Sequence, residues 1–428
     1  MANYIKSITK DAHPLMQGNF LLVTLTVSWI TFWRGLFNPY MSVYFKESLG
    51  GTYFLLGTLL AIGRISTALV SIPGGYFCDQ YGRRKVMIIG GHLSTLASFI
   101  EFLAFDWQGY LIGHLSLFFS FFWTIAEQAV LMDSMPPEKR GLGFALNSTM
   151  MGLVGMISPY VGGWVYTNYG TAGMKTVLLG IAIAQMIKGI IYQIFLKESL
   201  ENQNTNHEKA NHAVILKQTI QSFKSIPETL KWMPKPLLGF CIMNLFFLLG
   251  ASLTGTQQVI MGHQLLGSFF SLYATVDVIS LSMIQWGFIN TMVGGIGVVL
   301  MIPGGRLTDK YKKRIPIIIF IVVTSILIPA FIFCRTYYQV MAVIVISAIV
   351  GTLVTPAWRA LQLDYTPPEM RGKVQSVLQI LSSISSFFGS LVGGYLYGFS
   401  FALPFWIYAF FASLAAITAF LMIKETKT

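Results

Sequence analysis

A segment in the first half of this chain returns 230 positions later: Pro73-Gly-Gly-Tyr-Phe-Cys-Asp79-Gln-Tyr-Gly-Arg83-Arg84-Lys85 reappears as Pro303-Gly-Gly-Arg-Leu-Thr-Asp309-Lys-Tyr-Lys-Lys-Arg314. Two further echoes keep a shift of 231. They are Asp133-Ser-Met-Pro-Pro-Glu138-Lys-Arg140-Gly141 against Asp364-Tyr-Thr-Pro-Pro-Glu369-Met-Arg371-Gly372, and Val161-Gly-Gly-Trp-Val-Tyr166 against Val392-Gly-Gly-Tyr-Leu-Tyr397. The chain is a duplicated unit, so its fold is one plan built twice.

The surroundings of the repeats say what kind of unit this is. Of 428 residues, 54% are hydrophobic and 11% charged, with a mean hydropathy of +0.64. A soluble domain carries about 25% charged residues. Lipid offers a backbone no hydrogen-bond partners, so apolar runs of roughly 20 residues must close their own bonds as helices. Twelve such spans are expected, at roughly 18–45, 53–77, 86–106, 109–132, 142–168, 173–196, 237–261, 284–306, 315–334, 337–362, 373–398 and 402–423. The expectation is an all-α membrane protein of two six-helix bundles with pseudo-twofold symmetry, residues 1–196 and 237–428, joined by a polar linker at 197–236. Residues 262–283 read as an extracellular loop, with the moderately apolar stretch Leu265 to Val278 as an alternative re-entrant or interfacial piece. Within the linker, residues 214–226 put Leu216, Ile220 and Phe223 on one helical face, which suits a helix lying on the membrane surface.

Basic residues orient the spans, because Lys and Arg in short loops stay cytoplasmic. With the N-terminus inside, only Lys46, Lys175 and Arg335 of the 29 Lys and Arg fall outside, and only Arg34, Arg64, Lys188 and Arg359 fall within spans. Both termini are therefore expected in the cytoplasm, with the chain in the cell membrane. The net charge of +12 follows from this topology, with anionic lipid as its counter-surface, and calls for no nucleic acid.

Cys78, Cys241 and Cys334 show no paired spacing, so neither a disulfide framework nor a metal site is expected. His207 and His212 stand five apart, about 500° around a helix, which takes the second off the face of the first. No nucleophile elbow or phosphate loop is present. The expectation is no enzyme and no cofactor, with a gradient as the energy source. Residues 1–18 lack a signal-peptide pattern, so the first span is read as an uncleaved anchor.

Gly74-Gly-Tyr-Phe-Cys-Asp79-Gln-Tyr-Gly82-Arg83-Arg84-Lys85 resembles the signature of the major facilitator superfamily between spans 2 and 3. The second copy keeps Asp309 and the basic cluster but has Lys312 where Gly82 stands. The resemblance covers the whole chain and implies alternating access by two rocking bundles. It also implies a latch, with Asp79 facing the start of span 11 and Arg83 or Arg84 reaching Asp133 or Glu138. Lys85, Arg140, Asp309, Arg314, Asp364 and Arg371 belong to the same latch or its second copy. In span 5, Gly155, Pro159, Gly162 and Gly163 resemble part of the motif of proton-linked drug exporters, although Ser158, Val154 and Ala145 replace three of its glycines. Proline and small residues there predict a kinked, closely packed helix.

Charges within spans are costly in hydrocarbon and mark function. In the family fold spans 1, 4, 7 and 10 line the cavity, so Arg34 and Glu127 are expected to meet, with Glu127 as proton carrier. Arg359 is expected to pair with Asp364 or to bind an anionic group. Lys188 reads as a side chain that reaches for the interface, Arg64 as either a second cavity charge or a lipid-facing side chain that does so, His92, His114 and His263 as satisfied polar residues, and Glu101 as solvated near the outer end of span 3. Expected cavity contacts are Trp29, Trp33, Phe37, Asn38, Trp123, Thr124, Asn147, Asn244, Thr254, Gln257, Trp358 and Gln362. Such aromatic walls suit amphipathic ligands. The leading expectation is a monomeric, proton-coupled exporter of drug-like small molecules. The alternatives are proton-linked uptake or exchange of an organic anion or metabolite, a lipid flippase, or a membrane sensor that moves no solute.

Overall fold

A computed structural model describes residues 17–119, 122–199, 226–256, 266–310, 313–367 and 370–423, of which a few helical side chains, among them those of Asp79, Glu138 and Asp309, are not described. The surface helix expected at 214–226, the two linker histidines and Gln257 lie outside the described residues.

The described residues form twelve spans. Span 1 is Gly18–Glu47, interrupted by a 3-10 turn at Asn38–Tyr40, where Pro39 supplies no amide hydrogen. Span 2 is Tyr53–Tyr81, span 3 Arg83–Leu103 and span 4 Trp107–Asp133. Spans 5 and 6 form one helical run, Arg140–Phe195, broken at Gly170 by φ 58°. Spans 7 to 12 are Lys235–Leu253, Met283–Lys310, Arg314–Ile332, Tyr337–Asp364, Arg371–Phe399 and Leu403–Met422.

Local chemistry sets these boundaries. Thr52 caps span 2 by accepting from the Leu55 amide at 3.2 Å, and Thr336 with Gln339 forms a reciprocal capping box at the start of span 10. Pro236 and Pro404 sit in the first turns of spans 7 and 12, where a missing amide hydrogen costs nothing.

Spans 1–6 and 7–12 form two six-helix bundles. In the first, span 1 packs on span 5 and span 3 on span 6, and in the second, span 7 packs on spans 11 and 12 and span 9 on span 12. Spans 2 with 11 and 5 with 8 join the bundles. The face where span 1 begins and span 12 ends is called proximal below, and the opposite face distal.

The expected loop at 262–283 is corrected. Ser268–Leu272 is helical and runs into a π-turn, Tyr273–Asp277, with Phe269, Phe270, Leu272 and Ala274 fully buried. Phe270 lies against Phe331 and Phe405, at 4.8 and 4.7 Å between ring centroids. Four apolar side chains in six residues made burial the better solution than a loop.

Candidate functional site: a buried ion pair, two clamps and a closed distal face

Span 4 carries Trp123 and Glu127 one turn apart, and span 6 carries Lys188 and Tyr192 one turn apart, so each helix presents a matched pair on one face. These faces meet. Lys188 Nζ donates to Glu127 Oε2 at 3.1 Å and lies 3.6 Å from the centre of the Trp123 ring, with Lys188 only 1% exposed. The Tyr192 hydroxyl accepts from Thr26 Oγ1 of span 1 at 3.0 Å and hydrogen-bonds Glu127. One carboxylate is thus held by an ammonium and a phenol, and the ammonium by a carboxylate and an indole face.

This arrangement corrects two expectations. Lys188 does not reach for the interface, and Glu127 pairs with it rather than with Arg34. Glu127 stands six residues from the proximal end of span 4 and Arg34 sixteen from that of span 1. At about 1.5 Å per residue their backbones differ in depth by roughly 15 Å. Arg34 keeps Nη2 buried without a hydrogen-bond partner. Glu101 is corrected as well, since it is 3% exposed and lies 2.6 Å from His114 Nδ1, whose ring stacks on Tyr110.

At the proximal face the repeat holds its register side chain by side chain. Arg83 pairs with Asp133, as expected, and Arg84 donates to the Gln193 carbonyl at 2.8 Å. In the second copy Lys313 takes Asp364 at 2.5 Å, and Arg314 donates to the Phe420 carbonyl. Arg83 and Lys313, aligned by the shift of 230, therefore bind the aspartate that ends span 4 or 10, and the next residue, Arg84 or Arg314, binds a carbonyl near the end of span 6 or 12. Arg314 is thus not the partner of Asp364, because the shift of 230 aligns it with Arg84. Glu198 accepts from the amides of Arg83 and Arg84, both at 3.1 Å, and Ser199 donates to Asp133 at 2.9 Å. These two residues were missed, and their only sequence signal is an acid placed to cap the start of span 3. Lys85, Arg140 and Arg371 are exposed and stand outside both clamps.

The distal ends are closed across the bundles. Asp277 accepts from Tyr53 of span 2 at 2.5 Å and from Tyr397 of span 11 at 2.9 Å. The Pro39 carbonyl accepts from Ser271 and Trp286, at 2.9 and 3.3 Å. Tyr40 donates to the Pro159 carbonyl at 2.6 Å, which uses an acceptor near the proline in span 5. A Cβ on Gly162 would strike the Leu36 backbone, and one on Gly163 the Met283 carbonyl, so these glycines admit spans 1 and 8 as expected of a closely packed helix.

The sequence model of the Major Facilitator Superfamily matches residues 22–289 and again 259–428. The chain belongs to the major facilitator superfamily. The match places it among multi-pass membrane transporters. It is 25% identical over 223 residues, 49% of its length, to a Na(+), Li(+), K(+)/H(+) antiporter of Planococcus maritimus. It is 28% identical over 169 residues, 38% of its length, to the multi-drug resistance efflux pump PmrA of Streptococcus pneumoniae. The matched segments span 47% and 41% of those proteins, so the chain spans about half the length of these curated relatives. A nucleoside transporter of known structure superposes with a TM-score of 0.71 at 14% identity, covering 96% of this chain and all of that one.

Within this superfamily fold many expected cavity residues turn out to be packing residues. Trp33 covers Gly180 of span 6, and Trp123 covers Gly90 of span 3. Phe37 is buried against Tyr44 and Tyr110. Trp358 is buried among Phe240, Phe247 and Phe320. Thr254 is buried and bonds the Ala251 carbonyl. Asn147 is 9% exposed beside Met151, and Asn244 is 9% exposed and donates to Ser382 at 3.2 Å. Each helix has more faces than the one toward the cavity, and aromatic residues fill the others just as well. Trp29, Asn38 and Arg359 are exposed. Arg359 does not pair with Asp364, and Gln362 donates to Gln375 of span 11 at 2.5 Å.

Proposed function

We propose that this transporter exports amphipathic, drug-like small molecules in exchange for protons by alternating access between the two bundles. In this reading the chain divides at 1–196, 197–236 and 237–428, works as a monomer in the cell membrane, and keeps its proximal face and both termini in the cytoplasm. The basic residues of the two clamps, all proximal, support that orientation.

The observation that carries the reading is the Glu127–Lys188 pair. With Glu127 ionised the pair is neutral and compact. A proton on Glu127 leaves Lys188 charged and buried, a state of several kcal/mol cost unless span 6 moves against span 4. Protonation and helix movement are thereby linked, which an exchanger requires. The likeness to an antiporter and to a multi-drug efflux pump supports exchange and export.

A second reading, exchange or uptake of an organic anion, is favoured by Arg34 and Arg359, cations within spans that carry no carboxylate partner among the described residues. One experiment separates the two. Purified protein in liposomes with a trapped pH dye is given a pH gradient and then a lipophilic cation, a neutral amphiphile or an organic anion. Export by antiport predicts proton flux with the cation, lost in Glu127→Gln. Flux with the anion alone transfers the conclusion to the second reading, and flux with none of them contradicts proton coupling.

A further inference from the structure

Span 1 begins at Gly18 and span 7 at Lys235, 217 positions apart, whereas the motif after spans 2 and 8 recurs at 230. Thirteen extra residues therefore lie between the start of span 7 and the motif after span 8. The described backbone on either side of residues 257–265 brackets them. Span 7 stops at Leu253, and the amides of Ser268 and Phe269 then donate to the carbonyls of Gly255 and Thr254, at 3.3 and 3.1 Å. The helix resumes at Ser268 on its own broken end. The corresponding level of span 1 is the 3-10 turn at Asn38–Tyr40, which carries no insertion. Where span 1 is interrupted by one turn, span 7 is opened.

An opened helix exposes carbonyls that its own amides no longer satisfy, at the negative end of its dipole. At this break Arg64 of span 2, in the other bundle, donates from Nη2 to the Thr256 carbonyl at 2.9 Å. Arg64 has no carboxylate partner among the described residues, so the broken helix end is the negative group it meets. Gly255 adopts φ +70° beside Leu60 and Ser268, where a Cβ would come within 3.2 and 3.0 Å of them. The turn that presents Thr256 to Arg64 thus depends on glycine.

We propose that Arg64 is a positioning residue of the transport cycle, fastening the break in span 7 to span 2 only while the distal side is closed. This rests on the alternating-access reading above and is independent of the substrate. Arg64 lies eleven residues from the distal end of span 2, about 16 Å deep. Spans 2 and 7 belong to opposite bundles, so distal opening separates guanidinium from carbonyl. The bond holds the closed state and sets its balance against the open one.

Spin labels at Asn168 and Tyr338, exposed at the distal ends of spans 5 and 10, report the opening of the full chain in lipid nanodiscs by pulsed electron resonance. Loss of one hydrogen bond to a charged group predicts that Arg64→Ala shifts the closed-to-open ratio about tenfold toward open. Arg64→Lys, which keeps the charge, shifts it less. Gly255→Ala shifts it in the same direction with Arg64 intact, and carries the test if Arg64→Ala does not fold. A folded Arg64→Ala protein with the wild-type distance distribution overturns the proposal. A wild-type protein that shows one distribution at every pH and with every added compound overturns the alternating-access reading itself.

Discussion

The two bundles descend from one repeated plan yet fill their interiors with different chemistry. In the first, Glu127, Lys188, Tyr192 and Thr26 form a buried polar cluster, Arg34 lies farther along span 1, and a Glu101–His114 pair joins spans 3 and 4 toward their distal ends. In the second, the position equivalent to Glu127 is Trp358 and that of Lys188 is Ala419, both buried in an aromatic core with Phe247, Phe320 and Tyr408. The proximal clamps, by contrast, share one pattern, a basic residue on the aspartate that ends span 4 or 10 and an arginine on a carbonyl near the end of span 6 or 12. Duplication preserved what both bundles need, a fastening at the helix ends, and let diverge what only one needs. Under the proposed exchange a proton site is needed once, and a second buried ion pair would add desolvation cost with no task.

The largest effect expected from breaking this contrast is Lys188→Ala, which leaves Glu127 buried without its partner. It should destabilise the protein by about 3–5 kcal/mol, read as a lowered melting temperature in detergent. Replacing the pair together, Glu127→Gln with Lys188→Met, should recover most of that stability while abolishing proton flux. Trp358→Ala should cost about 3–5 kcal/mol by cavity formation, yet leave proton coupling in place. Tyr397→Phe removes one of two donors to Asp277 and should cost about 1 kcal/mol, read as faster labelling of the buried Cys334 at the distal end of span 9. Smallest of all, Arg83→Ala and Lys313→Ala should each cost no more than about 1 kcal/mol, since both ion pairs reach solvent, and by similar amounts. Unequal losses would argue against equivalent clamps.

The sequence made the plan legible wherever chemistry repeats or runs long. Twelve spans, six and six, follow from apolar runs, and the family resemblance implied a clamp of Arg83 or Arg84 on Asp133 or Glu138, which the structure resolves to Arg83 on Asp133. Partner choice inside a bundle was not legible, because Glu127 sees several spans and only depth decides between Arg34 and Lys188. The apolar run from Leu265 to Val278 was visible, but it is too short to span a membrane by itself, and it was assigned to a loop although 268–277 is helical. Asp277 escaped notice for the same reason, as a lone acid in a stretch read as loop. Trp33 and Trp358 were assigned to the cavity from residue type alone, which says nothing about which face a ring occupies.

The central claim is that the proton is carried in the first bundle and not in the second. Weakly buffered, detergent-solubilised protein mixed with a lipophilic cation reports it through a pH dye. The account predicts proton release from the wild type and from Trp358→Phe, and none from Glu127→Gln. Undiminished release from a folded Glu127→Gln protein would contradict it.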